Sequence, residues 1–308
     1  MAQITAAMVK QLREMTDSPM MECKKALTDA EGDFAKAVEL LREKGLATAS
    51  KKAGRVAAEG MVYATACSEC KVGVALEVNA ETDFVAKNDK FVDFVKKVAD
   101  VIIKENPADV EALMACKMGE GTVDDALKNL ILVIKENIKI RRFVRYEGVC
   151  SAYVHGGGTH GILVNFETTN GIETKDEFAA YGKDIAMQVA AANPSYLNES
   201  DVPEDVLAKE KEIVLAQMAN DPKTANKPDA IKEKMAIGKL GKFYKEACLV
   251  DQAFIKDGGM DVKKYVADTA KALGGDIKIA AFTHFTKGEG LEKRNEDFAA
   301  EVAAAIKG

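Results

Sequence analysis

The feature that most constrains the fold is an internal repeat with a spacing of 87 to 88 residues. The dipeptide Glu59-Gly60 recurs as Glu147-Gly148, 88 positions later. A helical pattern follows in each copy, and its apolar residues pair at a spacing of 87: Phe91 with Phe178, Phe94 with Tyr181, and Val98 with Ile185. The repeat predicts an α+β fold with a duplicated core, in which each half is an antiparallel sheet with helices on one face.

Two predicted strands precede the helix in each copy. They are residues 61–66 and 72–78 in the first copy and residues 149–155 and 162–166 in the second. A further strand is predicted at residues 140–146, where we expect Arg141 and Arg142 to lie on a solvated edge.

The connector between the second strand and the helix differs between the copies. The first copy has Glu-Thr-Asp-Phe-Val-Ala-Lys-Asn at residues 81–88, and the second has Thr-Thr-Asn-Gly-Ile-Glu-Thr-Lys at residues 168–175. Phe84 and Val85 form a bulky apolar pair in the first connector. Such a pair either packs back into the core or forms a tip that contacts a partner, and periodicity alone leaves both interpretations open.

Three short helices are predicted before the repeat, in residues 1–46. Thr5 and Asp33 are expected to cap the first and third helices, and Ser18-Pro19 supplies a cap and a first-turn proline for the second. Gly45 is expected to end the third helix. A module of this size has a thin core, so its surface is better suited to binding than to catalysis.

Two consecutive methionines, Met20 and Met21, open the second helix. Methionine is most often a core residue, but its flexible side chain also suits a surface that adapts to a partner. The sequence leaves both interpretations open.

Composition suggests the remaining boundaries. We predict a linker at 47–58, core halves at 59–140 and 141–290, a helical hairpin at 203–246 inserted in the second half, and a C-terminal helical module at 291–308. The hairpin has the narrow apolar seam and mixed charges of an antiparallel coiled coil. Such arms serve dimerisation, contact with a partner or no specific role.

The charge and apolar patterns exclude several classes of protein. The formal net charge is −6, which argues against duplex nucleic acid as the main ligand, because phosphate binding requires a basic face. The most concentrated apolar run, residues 130–134, is far shorter than the roughly twenty residues that span a bilayer. Charged residues early in the chain argue against a secretory signal, so we expect a cytoplasmic protein.

The six cysteines are mostly isolated, which is typical of reduced thiols in a cytosolic protein. Cys67 and Cys70 have the spacing of a redox or metal pair, and the alternative is an unreactive turn between two strands. His155 and His160 flank a glycine-rich turn and make a poor metal site without a third ligand.

Motifs for phosphate binding and for nucleophilic or metal-dependent hydrolysis do not occur in the sequence. We therefore expect a modular α+β protein that binds other molecules and is not an enzyme, with no cofactor and no metal.

Several motifs agree in order and spacing with one known family. They are the segment 9–27 (Val-Lys-Gln-Leu-Arg-Glu-Met-Thr-Asp-Ser-Pro-Met-Met-Glu-Cys-Lys-Lys-Ala-Leu), Thr-Asp-Phe-Val-Ala-Lys-Asn at 82–88, Ile-Lys-Ile-Arg-Arg at 138–142, His155-Gly156, and Asp-Phe-Ala-Ala-Glu-Val-Ala at 297–303. The chain resembles the bacterial elongation factor Ts family over essentially its whole length.

The resemblance implies a guanine-nucleotide exchange factor for elongation factor Tu, a GTPase that delivers aminoacyl-tRNA. It implies that residues 1–46 form a domain like the ubiquitin-associated domain, that the two sheet units are the halves of the core, and that the hairpin is a coiled-coil arm. It also allows a homodimer through this arm. Two alternatives remain, a thiol oxidoreductase that uses Cys67 and Cys70, or a simple binding adaptor that uses residues 1–46.

The resemblance also assigns roles to particular residues. Asp83 and Phe84 would intrude into the partner, and Thr82 and Val85 would complete the element that displaces Mg²⁺ from it. Further contacts would come from Met20, Met21 and Lys24 in the N-terminal domain, and from the core at Ile134, His155 and Ile255.

Two segments depart from the family pattern. Lys135 stands where the family usually has glycine in Ile-Gly-Glu-Asn. Residues 252–255 are Gln-Ala-Phe-Ile in place of Gln-Pro-Phe-Val, and Lys256 follows where the family can have a methionine.

Overall fold

The computed structural model describes residues 4–16, 18–225 and 227–292. It begins with the three predicted helices, α1 (Ala6–Thr16), α2 (Met20–Asp29) and α3 (Phe34–Lys52). Thr5 caps α1, since its hydroxyl accepts the Met8 amide at 3.3 Å, and the Asp33 carboxylate caps α3 at 3.1 Å from the Lys36 amide. The predicted cap at Ser18 is wrong, because Pro19 occupies the N-cap of α2 and the Ser18 hydroxyl donates to Asn129.

The prediction that α3 ends at Gly45 is also wrong, because the helix continues through the first half of the predicted linker to Lys52. Gly45 lies inside α3 and faces the backbone of Lys128, where an added Cβ would be 3.4 Å from the carbonyl oxygen. The glycine therefore allows two helices to approach closely and does not terminate one. The irregular part of the linker shrinks to residues 53–58.

The first half of the core has a three-stranded sheet and three helices. Its elements in chain order are β1 (Glu59–Cys67), β2 (Val72–Ala80), α4 (Asp89–Glu105), α5 (Val110–Ala115), β3 (Lys117–Met118), β4 (Gly121–Thr122), α6 (Val123–Ile134) and β5 (Lys139–Glu147). The sheet is antiparallel in the order β1-β2-β5. Thr122 and Asp125 form the predicted capping box of α6.

The second half repeats this order. Its elements are β6 (Val149–His155), β7 (His160–Thr168), α7 (Asp176–Ala192), α8 (Glu204–Asn220), α9 (Asp229–Ala247), β8 (Ala253–Phe254), β9 (Asp257–Asp261), α10 (Val262–Leu273) and β10 (Ile277–Thr286). The antiparallel sheet has the order β6-β7-β10, so the second strand is central in both halves. A two-stranded hairpin precedes α6 and another precedes α10. The predicted duplication is confirmed by this shared topology.

The halves differ after their first long helix. The short α5 stands in the first half, whereas α8 and α9 form a helical hairpin in the second. The predicted boundary between residues 140 and 141 is wrong, since it cuts β5, which pairs with β2 along its length. A strand whose backbone hydrogen bonds go to the first sheet belongs to the first half.

The two sheets pack face to face, with helices on their outer faces. Every residue of β2 is buried, because α4 and α6 cover one face and the second sheet covers the other. Gly73 and Gly161, 88 residues apart, lie where the sheets touch, and an added Cβ would come within 2.6 Å of Leu163 or 2.3 Å of Val62. Each copy thus uses a glycine for the same close approach.

A buried carboxylate joins the first sheet to the end of β10. Glu77 is fully buried and accepts hydrogen bonds from Arg142 at 2.7 Å, from Arg141 at 3.0 Å and from the Gly288 amide at 2.7 Å. Burial alone would raise the pKa of Glu77, but the hydrogen bonds from Gly288, Asn79 and Arg142 outweigh it and lower the pKa. The expectation that Arg141 and Arg142 lie on a solvated edge is therefore wrong.

The predicted C-terminal helical module at 291–308 lies almost wholly outside the described residues. Among the helices that the structure describes, none has the length and apolar character needed to cross a bilayer.

Candidate partner-binding surface

In the connector after β2, the two neighbouring apolar residues Phe84 and Val85 differ in their exposure to solvent. Phe84 is 79% exposed, the largest exposure among the big apolar side chains that the structure describes. Val85 is only 5% exposed and packs in the core with the residues of α4 and β2. A short 3-10 turn, Val85–Lys87, starts between these two residues of opposite exposure. The connector therefore has one aliphatic anchor and one aromatic tip.

Thr82 fixes the chain just before the tip. Its amide donates to one carboxylate oxygen of Glu136 at 3.0 Å, and its hydroxyl donates to the other at 2.7 Å. Asp83, next along the chain, is exposed beside Phe84. An acidic group and an aromatic ring thus stand together at the surface.

Neighbouring contacts hold the rest of the connector. The Glu81 carboxylate accepts the Asn137 amide at 2.6 Å and pairs with Arg55 at 3.4 Å. On the far side, Asn88 caps α4 by accepting the Lys90 amide at 3.0 Å. Both ends of the connector are anchored, so the exposed tip is held by a rigid frame.

A second exposed apolar surface lies at the start of α2. Met20 is 53% exposed and Met21 73% exposed, so neither is a core residue. Lys24 is exposed one turn further along the helix. Met15, at the end of α1, is 60% exposed, although nothing in its local sequence pattern distinguishes it from a core methionine.

Ile134 and the residues after it connect these two surfaces. The Ile134 side chain is partly buried against the core of the first half. Lys135 follows as the C-cap of α6, in the left-handed region at φ 67°, and its ammonium lies 3.8 Å from the Glu22 carboxylate on α2. Glu136 then holds Thr82. The structure therefore brings Thr82, Ile134 and the start of α2 into one region.

His155 and Ile255 lie in the second half. His155 is exposed at the end of β6, where its Nδ1 is 2.9 Å from the Tyr153 hydroxyl. Ile255 is exposed in the turn between β8 and β9, and its amide donates to the buried Gln188 at 2.8 Å. The loop that presents Ile255 is therefore tied firmly to α7.

The histidines come together across β6, β7 and β10. His160 Nδ1 lies 3.0 Å from His284 Nε2, and the ring of His155 is 6.3 Å from that of His160. Burial and the neighbouring His160 lower the pKa of His284, while Glu289 opposes this. Within the described part of the chain, no group of three or more His, Cys, Asp or Glu side chains is arranged to hold a metal ion.

The expectation that all cysteines are reduced is wrong for one pair, because Cys67 and Cys70 form a disulfide in the turn between β1 and β2. Burial raises the pKa of the Cys23 and Cys150 thiols, and it raises the pKa of Cys248 to about 11. These three thiols are protonated at neutral pH and are poor nucleophiles.

The fold and this surface define an α+β protein whose duplicated core carries a rigidly held aromatic tip. A family model described as elongation factor TS matches residues 81–289.

Full-length relatives extend the match to the rest of the chain. Elongation factor Ts of Clostridioides difficile (strain 630) is 47% identical over 311 residues, which cover 100% of both chains. Elongation factor Ts of Clostridium perfringens (strain SM101) is 47% identical over 304 residues, covering 97% of this chain and 98% of its own. The relative from Trichlorobacter lovleyi is 47% identical over 309 residues, or 98% of each chain.

The chain belongs to the elongation factor Ts family. Its role is that of a translation elongation factor.

Proposed function

We propose that the protein binds the GDP form of elongation factor Tu and promotes the exchange of GDP for GTP. The observation that carries the proposal is the exposure of Phe84 on a connector that is anchored on both sides. An apolar ring that is 79% exposed gains little from folding, so its contribution is expected on contact with another molecule.

The mechanism requires no catalytic group on this chain. A bound GDP is held by its phosphate contacts and by Mg²⁺, which is among the largest local charges in such a site. Insertion of Asp83 and Phe84 beside the nucleotide site would favour a conformation of the GTPase in which Mg²⁺ and these contacts are lost. The coupling is reciprocal, so a factor that weakens GDP binding is itself weakened by GDP to the same extent. A new nucleotide, GTP, can then displace the factor.

The proposed contact residues have different roles. Asp83 and Phe84 form the intruding tip, while Thr82 and the buried Val85 hold it in place. Met20, Met21 and Lys24 form a second contact on the GTPase. Ile134, His155 and Ile255 complete the set proposed for the core.

We further propose that residues 1–46 act as a binding domain and that the two core halves act as one platform. In this organisation the 203–246 arm is an insertion in the second half. Dimerisation through the arm stays a prediction, as does the absence of direct nucleic-acid binding. A partner in translation implies a cytoplasmic location.

The test is the rate at which a fluorescent GDP leaves purified elongation factor Tu in the presence of excess unlabelled nucleotide. We expect strong acceleration by the wild-type protein. Truncation of an aromatic hot spot costs about 2 kcal/mol, so Phe84→Ala should lower the acceleration about 30-fold.

Ile237→Ala is the matched control, because it truncates another apolar side chain, 61% exposed, on the arm. It should leave the rate close to that of the wild type. Acceleration that survives Phe84→Ala would keep the function and move the mechanism to other contacts. If the folded wild-type protein does not accelerate GDP release, the proposal is contradicted. The two alternatives, a thiol oxidoreductase and a simple binding adaptor, would then be favoured.

A further inference from the structure

The exposed tip depends on a side chain that lies far away in the sequence. Glu136 is 54 residues from Thr82, yet its two carboxylate oxygens accept the amide and the hydroxyl of that single residue at 3.0 and 2.7 Å. Two hydrogen bonds from one residue to one carboxylate fix both its position and its orientation. Phe84 follows two residues later, so the direction in which the chain enters the tip is set by this contact.

Glu136 is in turn directed by the end of α6. Lys135 adopts the left-handed conformation at φ 67°, and this sharp turn at the C-cap presents the next residues to the connector. The following amide, that of Asn137, donates to Glu81 at 2.6 Å. Residues 136 and 137 therefore hold two successive residues of the connector.

The same short segment reaches α2 through the Lys135–Glu22 ion pair at 3.8 Å. The Lys135 side chain is 51% exposed, and an exposed pair of this length contributes little. The Thr82–Glu136 contacts are short, partly buried and assisted by charge, so they are the stronger ones. The geometry of the tip is expected to depend mainly on Glu136.

We infer that Glu136 is a positioning residue for exchange, which acts by holding Thr82 and thereby presenting Asp83 and Phe84 in the conformation that enters the partner. This inference rests on the proposed exchange function and names a residue that none of the proposed contacts includes. A connector that is ordered before binding loses less conformational freedom when the complex forms. Loss of the contact should therefore weaken binding more than it slows the step that follows binding.

The test begins on the isolated protein. Glu136→Gln keeps the size of the side chain but removes its charge, and its amide nitrogen can only donate to the Thr82 hydroxyl, so both contacts with Thr82 become neutral and weaker. Hydrogen exchange of the backbone amides at residues 82–85 should become faster, while that of the β2 amides stays as in the wild type. In the GDP-release assay, the half-saturating concentration of the factor should rise about tenfold, with the maximal rate within about twofold of the wild type.

The decisive measurement is a double-mutant cycle with Phe84→Ala. A residue that acts through Phe84 has nothing left to position once the ring is gone, so Glu136→Gln should add less than about twofold in that background. A residue with only a general structural role would lower exchange by the same factor in both backgrounds.

The second half offers a matched control. Thr169 is held mainly by the backbone of Asp276, whose amide donates to the Thr169 hydroxyl at 2.8 Å and whose carbonyl accepts the Thr169 amide at 3.2 Å, while the Asp276 carboxylate accepts the hydroxyl at 3.3 Å. Its tip carries Gly171 in place of an aromatic ring. Asp276→Asn alters only the 3.3 Å side-chain contact of that connector and should leave GDP release unchanged.

Each outcome has one meaning. Unchanged amide exchange at residues 82–85, or equal losses in the two backgrounds, would overturn the positioning role. A wild-type protein that fails to accelerate GDP release would overturn the proposed function, whereas hydrogen exchange would still report on the contact. If Glu136→Gln abolishes cooperative unfolding, Thr82→Val, which removes only the 2.7 Å contact, replaces it in the same cycle.

Discussion

The connectors in the two halves of the core are built alike and end differently. Each packs on the loop after an equivalent helix, through Thr82 and Glu136 in the first half and through Thr169 and Asp276 in the second. Each also buries one aliphatic residue, either Val85 or Ile172, at 5% and 1% exposure. The tips differ, since the first connector exposes Phe84 and the second has Gly171 at the equivalent position.

The difference between Phe84 and Gly171 shows which residues of a connector the fold requires and which are available for contact with a partner. Gly171 completes the second connector without any side chain, in the left-handed region at φ 66° that favours glycine, whereas Phe84 lies in the right-handed region at φ −61°. The second connector therefore forms its own turn without an aromatic ring. The anchors are kept in both halves because they fill the core, whereas Phe84 adds exposed apolar surface that stabilises nothing within the chain.

The largest expected effect comes from the polar residues of the two central strands. Glu77 in β2 neutralises two arginines, whereas Asn165, 88 residues later in β7, donates to the backbone carbonyls of Glu147 and Val149. Glu77→Ala leaves Arg141 without its carboxylate partner and Arg142 with only the more exposed Glu289, and it should lower the free energy of unfolding by about 3–5 kcal/mol. Asn165→Ala loses only neutral hydrogen bonds and should cost about 1 kcal/mol.

Urea unfolding followed by circular dichroism measures both values. Glu77→Gln is the control for packing, because it keeps the side-chain volume and removes the charge. Equal losses for Glu77→Ala and Asn165→Ala would mean that the two central strands are stabilised in the same way.

A smaller effect is expected at the C-caps of the equivalent helices α6 and α10. Both caps are left-handed, but the residue is Lys135 at φ 67° in the first half and Gly274 at φ 77° in the second. A non-glycine residue in this region costs about 1 kcal/mol. Lys135→Gly should therefore raise the free energy of unfolding by up to about 1 kcal/mol, reduced by whatever the exposed pair with Glu22 contributes.

Gly274→Lys is the reciprocal change and should destabilise by about 1 kcal/mol, since an added Cβ meets no atom within 4 Å and only the backbone strain acts. Thermal unfolding of both variants and of the wild type measures the two changes in stability. A loss of stability in Lys135→Gly would mean that the ion pair with Glu22 outweighs the strain.

Local patterns predicted most of the regular elements. The strand at residues 149–155 has the predicted bounds, and the Thr122 capping box starts α6, because side-chain periodicity and caps depend on near neighbours in the sequence. Gly45 shows where this fails. A glycine at the end of an apolar pattern resembles a helix terminus, and only the tertiary contact with Lys128 reveals that it lies inside α3.

The candidate partner-binding surface could be predicted only in part, because it depends on contacts between residues that are distant in the sequence. Spacing alone left Phe84 and Val85 equally eligible for the core, because the connector has no periodicity and the turn that separates them is set by contacts. Glu136 could not be connected with Thr82 from the sequence, since the residues are 54 positions apart and neither lies in a local pattern. The resemblance assigns the intruding role to Asp83 and Phe84, but it indicates neither that Val85 is buried nor that Glu136 holds Thr82.

The third strands of the two halves should contribute differently to the pH dependence of the free energy of unfolding. β5 is joined to the carboxylate Glu77, whereas β10 carries His284 beside His160, with Asn193, Thr286 and Glu289 around this pair. The pKa of His284 is lower in the folded chain than the unfolded value of about 6.5. The unfolded state therefore binds the proton more strongly, so stability is fully present above about pH 6.5 and is lost as the pH falls below it.

His284→Gln should remove this part of the pH dependence and leave the acid-induced loss from carboxylates, which begins at lower pH. The free energy of unfolding, measured from about pH 8 down to about pH 5, should fall more steeply for the wild type than for the variant. Parallel curves would mean that His284 does not contribute to the pH dependence of stability.

The smallest effect is expected in the turns that join the first two strands of each half. Cys67 and Cys70 close the turn in the first half, where the second half has a run of glycines. The connector that presents Phe84 is held by Glu136, Asn137 and Arg55, and the disulfide turn makes none of these contacts. The double variant Cys67→Ser/Cys70→Ser should therefore keep GDP release within about twofold of the wild-type rate, as is usual for surface changes away from a site. A loss greater than about tenfold, about 1.4 kcal/mol, would assign the turn a part in exchange and favour thiol chemistry over a passive turn.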